Sequence, residues 1–218
     1  VHLFLTGSVQ YGLMYLFYIE AFRYLKAYEI ALFTVFTPFF VTLANDLSER
    51  KLNLSAFANC LLAVAGGLVI QYRQLSSGDL QHGFILMQLS NVCFAAGQIY
   101  YRRIMARENG APSDLQAFAL LYLGAVISAL VAAAGTEWSS LVITGPQMLI
   151  LAYLGSIAAG LCFFMWNAGA RQVSPGTLAI FNNLKIPLGI VVSLLFFGES
   201  ASLPALVLGG SLMALALY

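Results

Sequence analysis

Lys185 stands near the middle of an otherwise uncharged apolar run from Thr177 to Phe197. At about 1.5 Å of helical rise per residue it is about 12 Å from the nearer end of that run, too deep to snorkel easily to water. An ammonium at that depth costs at least about 2.5 kcal/mol on insertion scales, so it implies a task. The simplest task is to meet an anion in a water-filled cavity, and the simplest protein with such a cavity is a membrane carrier. Asn182 is three residues before Lys185 and shares its helix face, while Pro187 removes a backbone donor and weakens the local ladder. Another uninterrupted apolar stretch presents Gln88, Asn91 and Gln98 on one face around Ala95. Such amides act either as interhelical glue or as cavity lining. Trp166 and Asn167 are polar groups deep in a third run, and Tyr11, Tyr15 and Tyr18 form a stripe at helical spacing. An aromatic stripe is more often packing than a ligand cage, and the interfacial belt explains part of it. The candidate substrate-binding set is therefore Lys185, Asn182, Gln88, Asn91, Trp166, Asn167, Tyr15 and Tyr18.

The elements that must position these residues follow from composition. The 218-residue chain is 61% hydrophobic and only 9% charged, with a mean hydropathy of +0.85, far from soluble composition and close to that of a polytopic membrane protein. Ten Lys and Arg nearly balance nine Asp and Glu, which leaves no basic surface for nucleic acid. Cys60, Cys93 and Cys162 fall in apolar runs without CxxC spacing and read as small core residues, neither disulfides nor metal ligands. No Walker, GxGxxG, HExxH or GxSxG motif and no catalytic carboxylate pair is present, so neither an enzyme nor a cofactor is expected. The glycines at 66, 67, 155, 160, 209 and 210 lie in apolar runs and read as helix-packing positions.

Windows long enough to cross a bilayer lie at 3–25, 28–45, 54–71, 83–101, 115–135, 147–170, 176–197 and 203–218, predicting eight transmembrane helices. Short polar connectors separate them. With Val1 on the cytoplasmic side, the inside connectors carry Arg50, Lys51, Arg102, Arg103, Arg107 and Arg171, against Arg23, Lys26 and Arg73 outside. Arg23 and Arg171 each meet the negative end of a helix dipole, and Glu20 is spaced to pair with Arg23. A relay role for Glu20, as an intramembrane carboxylate, is the alternative.

Sliding the chain by 148 residues lays Gly7, Ser8, Gly12, Leu13, Arg23, Ala31 and Phe33 on Gly155, Ser156, Gly160, Leu161, Arg171, Ala179 and Phe181. With a small gap, Pro38 falls on Pro187 and Glu49 on Glu199, while Lys185 faces Phe36 or Thr37 and so breaks the symmetry. Five helices separate the copies, an odd number, so they are inverted in the membrane. Inverted repeats build many secondary transporters, with the substrate site near the midplane. Helices four and five lack partners in the first half. The expectation is an all-α membrane protein of ten helices arranged five plus five, with eight seen here. Residues 1–71 would be the last three helices of the first repeat and 83–218 the second repeat, slightly clipped at its end.

Five stretches, Gln10-Tyr-Gly-Leu-Met-Tyr15, Leu32-Phe-Thr-Val-Phe-Thr-Pro38, Gln88-Leu-Ser-Asn91 with Tyr101-Arg102-Arg103, Phe164-Met-Trp-Asn-Ala-Gly169 and Gly176 to Pro187, give the chain its family character. With them it resembles the EamA-type drug/metabolite transporter superfamily, in the carboxylate, amino-acid and amine branch that includes bacterial biotin transporters. The resemblance implies a multi-pass protein of the bacterial inner membrane that moves a small carboxylate, amino acid or amine by alternating access. Biotin uptake is the first substrate it suggests, and export of amino acids or other metabolites is the alternative. A retinal-type photoreceptor, the reading from another class, would use Lys185 as a Schiff base but lacks a placed counter-ion.

Overall fold

The computed structural model describes residues 1–25, 30, 33–51, 80–107, 112–135, 137 and 142–182, with single residues at 54, 55, 58, 61, 62, 65, 184, 188, 204, 207, 208, 211, 212 and 215. Among the described residues there are helices and turns and no strand. Helix α1 (His2–Gly7) passes through a π-helical stretch (Ser8–Leu13) into α2 (Met14–Ala21), forming one rod. A 3-10 turn (Thr34–Phe36) leads into α3 (Thr37–Glu49), which Arg50 ends in the left-handed conformation at φ 53°. The long α4 (Leu80–Arg107) and α5 (Asp114–Ala133) follow. A second rod comprises α6 (Gly145–Tyr153), a π-helical stretch (Leu154–Cys162) and α7 (Phe163–Ala170), and α8 occupies 175–182.

The starts of α5 and α6 are written locally. At α5 the Ser113 hydroxyl accepts from the Gln116 N–H at 3.3 Å, and the Gln116 side chain accepts from the Ser113 N–H at 3.1 Å. This reciprocal box satisfies two otherwise orphaned donors. Thr144 and Gln147 repeat the device at α6, where the Thr144 N–H donates to Gln147 at 2.9 Å and Pro146 occupies the first turn.

Helix α4 is the centre of the bundle, packed against the first rod, α3 and α7. The expected fourth span ended at 101, but the helix continues through Arg107, so Arg102 and Arg103 project from a helix and not from a connector. Helix α3 likewise runs to Glu49, beyond the expected end at 45, and the first rod stops at Ala21, short of 25. Charged residues end an apolar window without ending a helix, because Arg and Glu are good helix formers. Two described helical segments, Asp114–Ala133 and Gly145–Ala170, are by length and composition apolar enough to cross a membrane. Most of the windows at 54–71 and 203–218 and most of 183–197 lie outside the described residues.

Small residues set the closest approach. A Cβ on Gly7 would run into the Leu121 carbonyl, and one on Gly124 would run into the Phe4 carbonyl. Across the same contact Gly124 O accepts from the Ser8 hydroxyl at 3.1 Å. The glycines expected to pack, Gly155 and Gly160, differ: among the described residues nothing lies within 4 Å of a Cβ on Gly155, and Gly160 meets only Gly155 O. Cys162 is exposed and Cys93 half-buried, so the core reading of Cys162 is also corrected.

The two rods run in opposite directions. His2, at the start of the first, is 3.2 Å from the Tyr100 hydroxyl near the arginine-bearing end of α4. Arg171, after the end of the second rod, reaches Asp114 at that same end. Their π-helical stretches, Ser8–Leu13 and Leu154–Cys162, coincide when the first is advanced by the 148 residues of the sequence repeat.

Candidate functional site

Apolar flanks drive α4 into the bundle, and the polar residues it brings along must find partners there. Gln98 is fully buried and Asn91 nearly so, while Gln88 is half-buried. Left unpaired in a dry interior, an amide costs several kcal/mol.

At the Asn91 level the partner is created by a proline. Pro38 has no N–H to give to Thr34, and the turn before it is 3-10, with the Thr37 N–H bonded to Thr34 O. That leaves the Phe33 carbonyl free of its α-helical donor, and Asn91 Nδ2 supplies one at 2.8 Å. The Thr37 hydroxyl shares its proton between Thr34 O at 2.6 Å and Asn91 Oδ1 at 3.2 Å. Asn91 Nδ2 also reaches Gln88 Oε1 at 3.2 Å. Both polar atoms of Asn91 are therefore engaged in tying α3 to α4.

About two turns further along α4, at Gln98, the arrangement is more open. Asn182 on α8 donates to Gln98 Oε1 at 3.4 Å and to the Leu178 carbonyl at 3.0 Å. Gln10, in the π-helical stretch of the first rod, donates to Asn167 Oδ1 on α7 at 3.2 Å. A Cβ at position 97 would collide with the Gln10 side chain, so Gly97 is what lets Gln10 lie against α4. Trp166 packs against the apolar cluster formed by Val41, Ala95, Ile99, Ala170, Leu178 and Ala179. Four buried nitrogens here and at the neighbouring level, Gln88 Nε2, Gln98 Nε2, Trp166 Nε1 and Asn167 Nδ2, have no hydrogen-bond partner among the described residues. The Gln10 amide oxygen and the Thr42 hydroxyl are the corresponding unpartnered oxygens inside the bundle. Buried polar atoms are almost always satisfied, so a set dominated by N–H donors marks a place for an acceptor-rich guest or its water.

Tyr15 and Tyr18 lie in a separate aromatic layer, their rings edge-to-face at 6.2 Å, with Tyr15 against Phe163 and Tyr18 against Phe22. Tyr11 is buried among Phe118, Tyr122 and Phe163 and accepts a hydrogen bond from Gln10 Nε2 at 3.3 Å. Glu20 pairs with Arg23 at 3.1 Å, both well exposed. Lys185 lies outside the described residues. Gln10 and Thr37 belong to the polar core but were absent from the sequence-based set. The available signal was the one that singled out Gln98, a polar side chain inside an apolar run. Among the described residues no group of three His, Cys, Asp or Glu forms a metal site.

Asn167→Leu removes the acceptor of Gln10 and one open donor while keeping the volume. Gln10 Nε2 then keeps only its longer bond to the Tyr11 hydroxyl at 3.3 Å, and losing one bond of a buried amide costs about 1 kcal/mol. The variant is expected to melt several degrees lower than the parent in detergent, whereas Tyr18→Phe should melt unchanged. Differential scanning fluorimetry of the two side by side checks this.

Comparison with known proteins agrees with this architecture. A family model described as the EamA-like transporter family matches residues 81–218. The chain is 37% identical to a "Probable biotin transporter" of Pseudomonas aeruginosa, over 98% of this chain and 75% of that protein. It is 38% identical to the "Biotin transporter" of Salmonella typhimurium and to that of Escherichia coli K12, in each case over 98% of this chain and 71% of the relative. A solved crystal structure superposes with a TM-score of 0.77 at 18% identity, covering 98% of this chain and 73% of that one, a likeness of fold. The chain is a multi-pass membrane protein and belongs to the EamA-like transporter family.

Proposed function

We propose that the protein is a secondary carrier of the bacterial inner membrane that takes up a small organic carboxylate, with biotin the first substrate to test. It works by alternating access between two inverted five-helix halves, 1–71 and 83–218 contributing to the first and second. The observation that carries this reading is the set of four unpartnered N–H groups buried around α4. They are donors, and a carboxylate or a ureido carbonyl offers only acceptors in return. Lys185 supplies the countercharge, Gln98 and Asn182 orient the guest, and Trp166 and Asn167 close the same level. Gln88 extends the polar lining, Asn91 fixes α3 against α4 beside it, and the separate aromatic layer of Tyr15 and Tyr18 borders the site. The antiparallel rods with π-helical stretches at equivalent positions support a two-half mechanism, since such stretches are frequent at functional sites. The curated relatives named for biotin support the choice of substrate.

Uptake of labelled biotin into proteoliposomes holding the protein is the test. Uptake should saturate, and free biotin should compete while its primary carboxamide, which lacks the charge, should not. Equal competition by acid and amide would remove the carboxylate from the proposal, and absence of uptake by folded, inserted protein would remove biotin.

A further inference from the structure

The arginine-bearing end of the bundle holds a second polar site, distinct from the buried amides. A cleft of about 330 Å³ opens there between α3, α4 and the start of α8, with Asn45, Glu49, Arg102, Arg103, Arg171 and Ala106 in its wall. Its three guanidiniums are used unequally. Arg171 is taken by Asp114, which also accepts from the Tyr101 hydroxyl at 3.2 Å. Arg103 donates to Ser48 O at 2.9 Å and reaches Glu49 only at 4.0 Å. Arg102 spends Nη2 on the Val173 carbonyl, while its Nη1 is buried with no hydrogen-bond partner among the described residues. Arg171 is thus neutralised directly, whereas the carboxylate that Arg103 faces is distant and 53% exposed.

A buried, unpartnered guanidinium N–H beside a second under-neutralised arginine is an oxyanion site by its chemistry, because the guanidinium fork matches phosphate oxygens. By the positive-inside asymmetry this end meets the cytoplasmic leaflet, where phosphates are presented both by anionic lipids and in solution. We propose that the cleft between Asn45 and Arg102 binds a phosphate group, with Arg102 and Arg103 as its ligands and Glu49 as the competing internal anion. The site needs no assumption about the transported substrate, so it stands or falls independently of the biotin reading.

The test uses the full-length protein in neutral detergent, read by thermal melting and native mass spectrometry. In one arm inorganic phosphate is titrated at ionic strength fixed with chloride; in the other, phosphatidylglycerol is added against phosphatidylcholine. A saturable rise in melting temperature is expected in at least one arm. The phosphate arm alone assigns a free phosphate, and a response to phosphatidylglycerol with retained lipid in the spectra assigns a headgroup. Arg102→Gln should weaken the apparent affinity about tenfold. Because Arg102 also holds Val173, two variants that keep every guanidinium accompany it. Ala106→Trp should block the cleft and abolish the response, and Glu49→Gln should strengthen it severalfold by removing the competitor. No saturable response in either arm, or a response unchanged by Arg102→Gln and Ala106→Trp, overturns the proposal.

Discussion

Lys185→Ala is expected to abolish saturable carboxylate uptake while leaving the protein folded and inserted. The expectation rests on two energies of opposite sign. Without substrate, an ammonium in the middle of an apolar run costs at least about 2.5 kcal/mol to insert, so its removal should leave the melting temperature equal or higher. With substrate, truncating one member of a desolvated charge pair costs about 2–5 kcal/mol, a loss in uptake efficiency of about thirtyfold or more. The sequence spacing sets Lys185 three residues after Asn182, and Asn182 is held at 3.4 Å from Gln98 on the central helix. Lys185→Arg keeps the charge but alters the donor geometry, and should retain measurable uptake with a raised KM. Transport kinetics and melting curves of the three proteins, measured together, decide the matter. Uptake surviving in the alanine variant, or a stability collapse in it, would show instead that the lysine pins helices together.

How far the sequence could be read depends on which property did the signalling. Apolar length marked the course of the first rod, α4, α5 and the second rod, because a bilayer demands about 20 such residues whatever their neighbours are. It misplaced ends wherever charge and helix propensity disagree, as at Arg102 and Arg103, which continue α4 instead of leaving it. Polar residues in apolar runs pointed to Gln98, Asn167 and Asn182; Gln98 meets Asn182, and Asn167 meets Gln10, which lies against α4 at Gly97. Asn91 carried the same signal yet has both polar atoms committed to the α3 junction. Pattern alone could not separate a saturated amide from an open one, since saturation depends on a carbonyl released by Pro38 on another helix. Gln10 shows the same limit, because the glycine that admits it against α4, Gly97, is 87 residues away in the sequence.

Glycine shows the limit most sharply and yields the second large effect. The repeat equates Gly7 with Gly155, so the sequence predicts equal responses to alanine. The structure predicts opposite ones. In a helix, Gly→Ala gains about 1 kcal/mol of propensity when nothing obstructs the methyl group. At Gly155 nothing among the described residues lies within 4 Å of it, so Gly155→Ala should leave stability unchanged or improved. At Gly7 the methyl would meet the backbone carbonyl of Leu121, which has no rotamer to change. The first rod and α5 would have to separate, costing about 1–3 kcal/mol or more. In lipid that loss has no hydrophobic compensation, because helix association there rests on close packing and interhelical hydrogen bonds. Separation would stretch the bond of 3.1 Å from Ser8 to Gly124 O and draw Gln10 from its place against Gly97, loosening its bond to Asn167. Gly7→Ala is therefore expected to lower the melting temperature in detergent by several degrees and to impair uptake in the same preparation. Identical melting curves for the two variants would mean that the α1 to α5 contact yields at little cost, and that the amide site does not depend on the backbone beneath it.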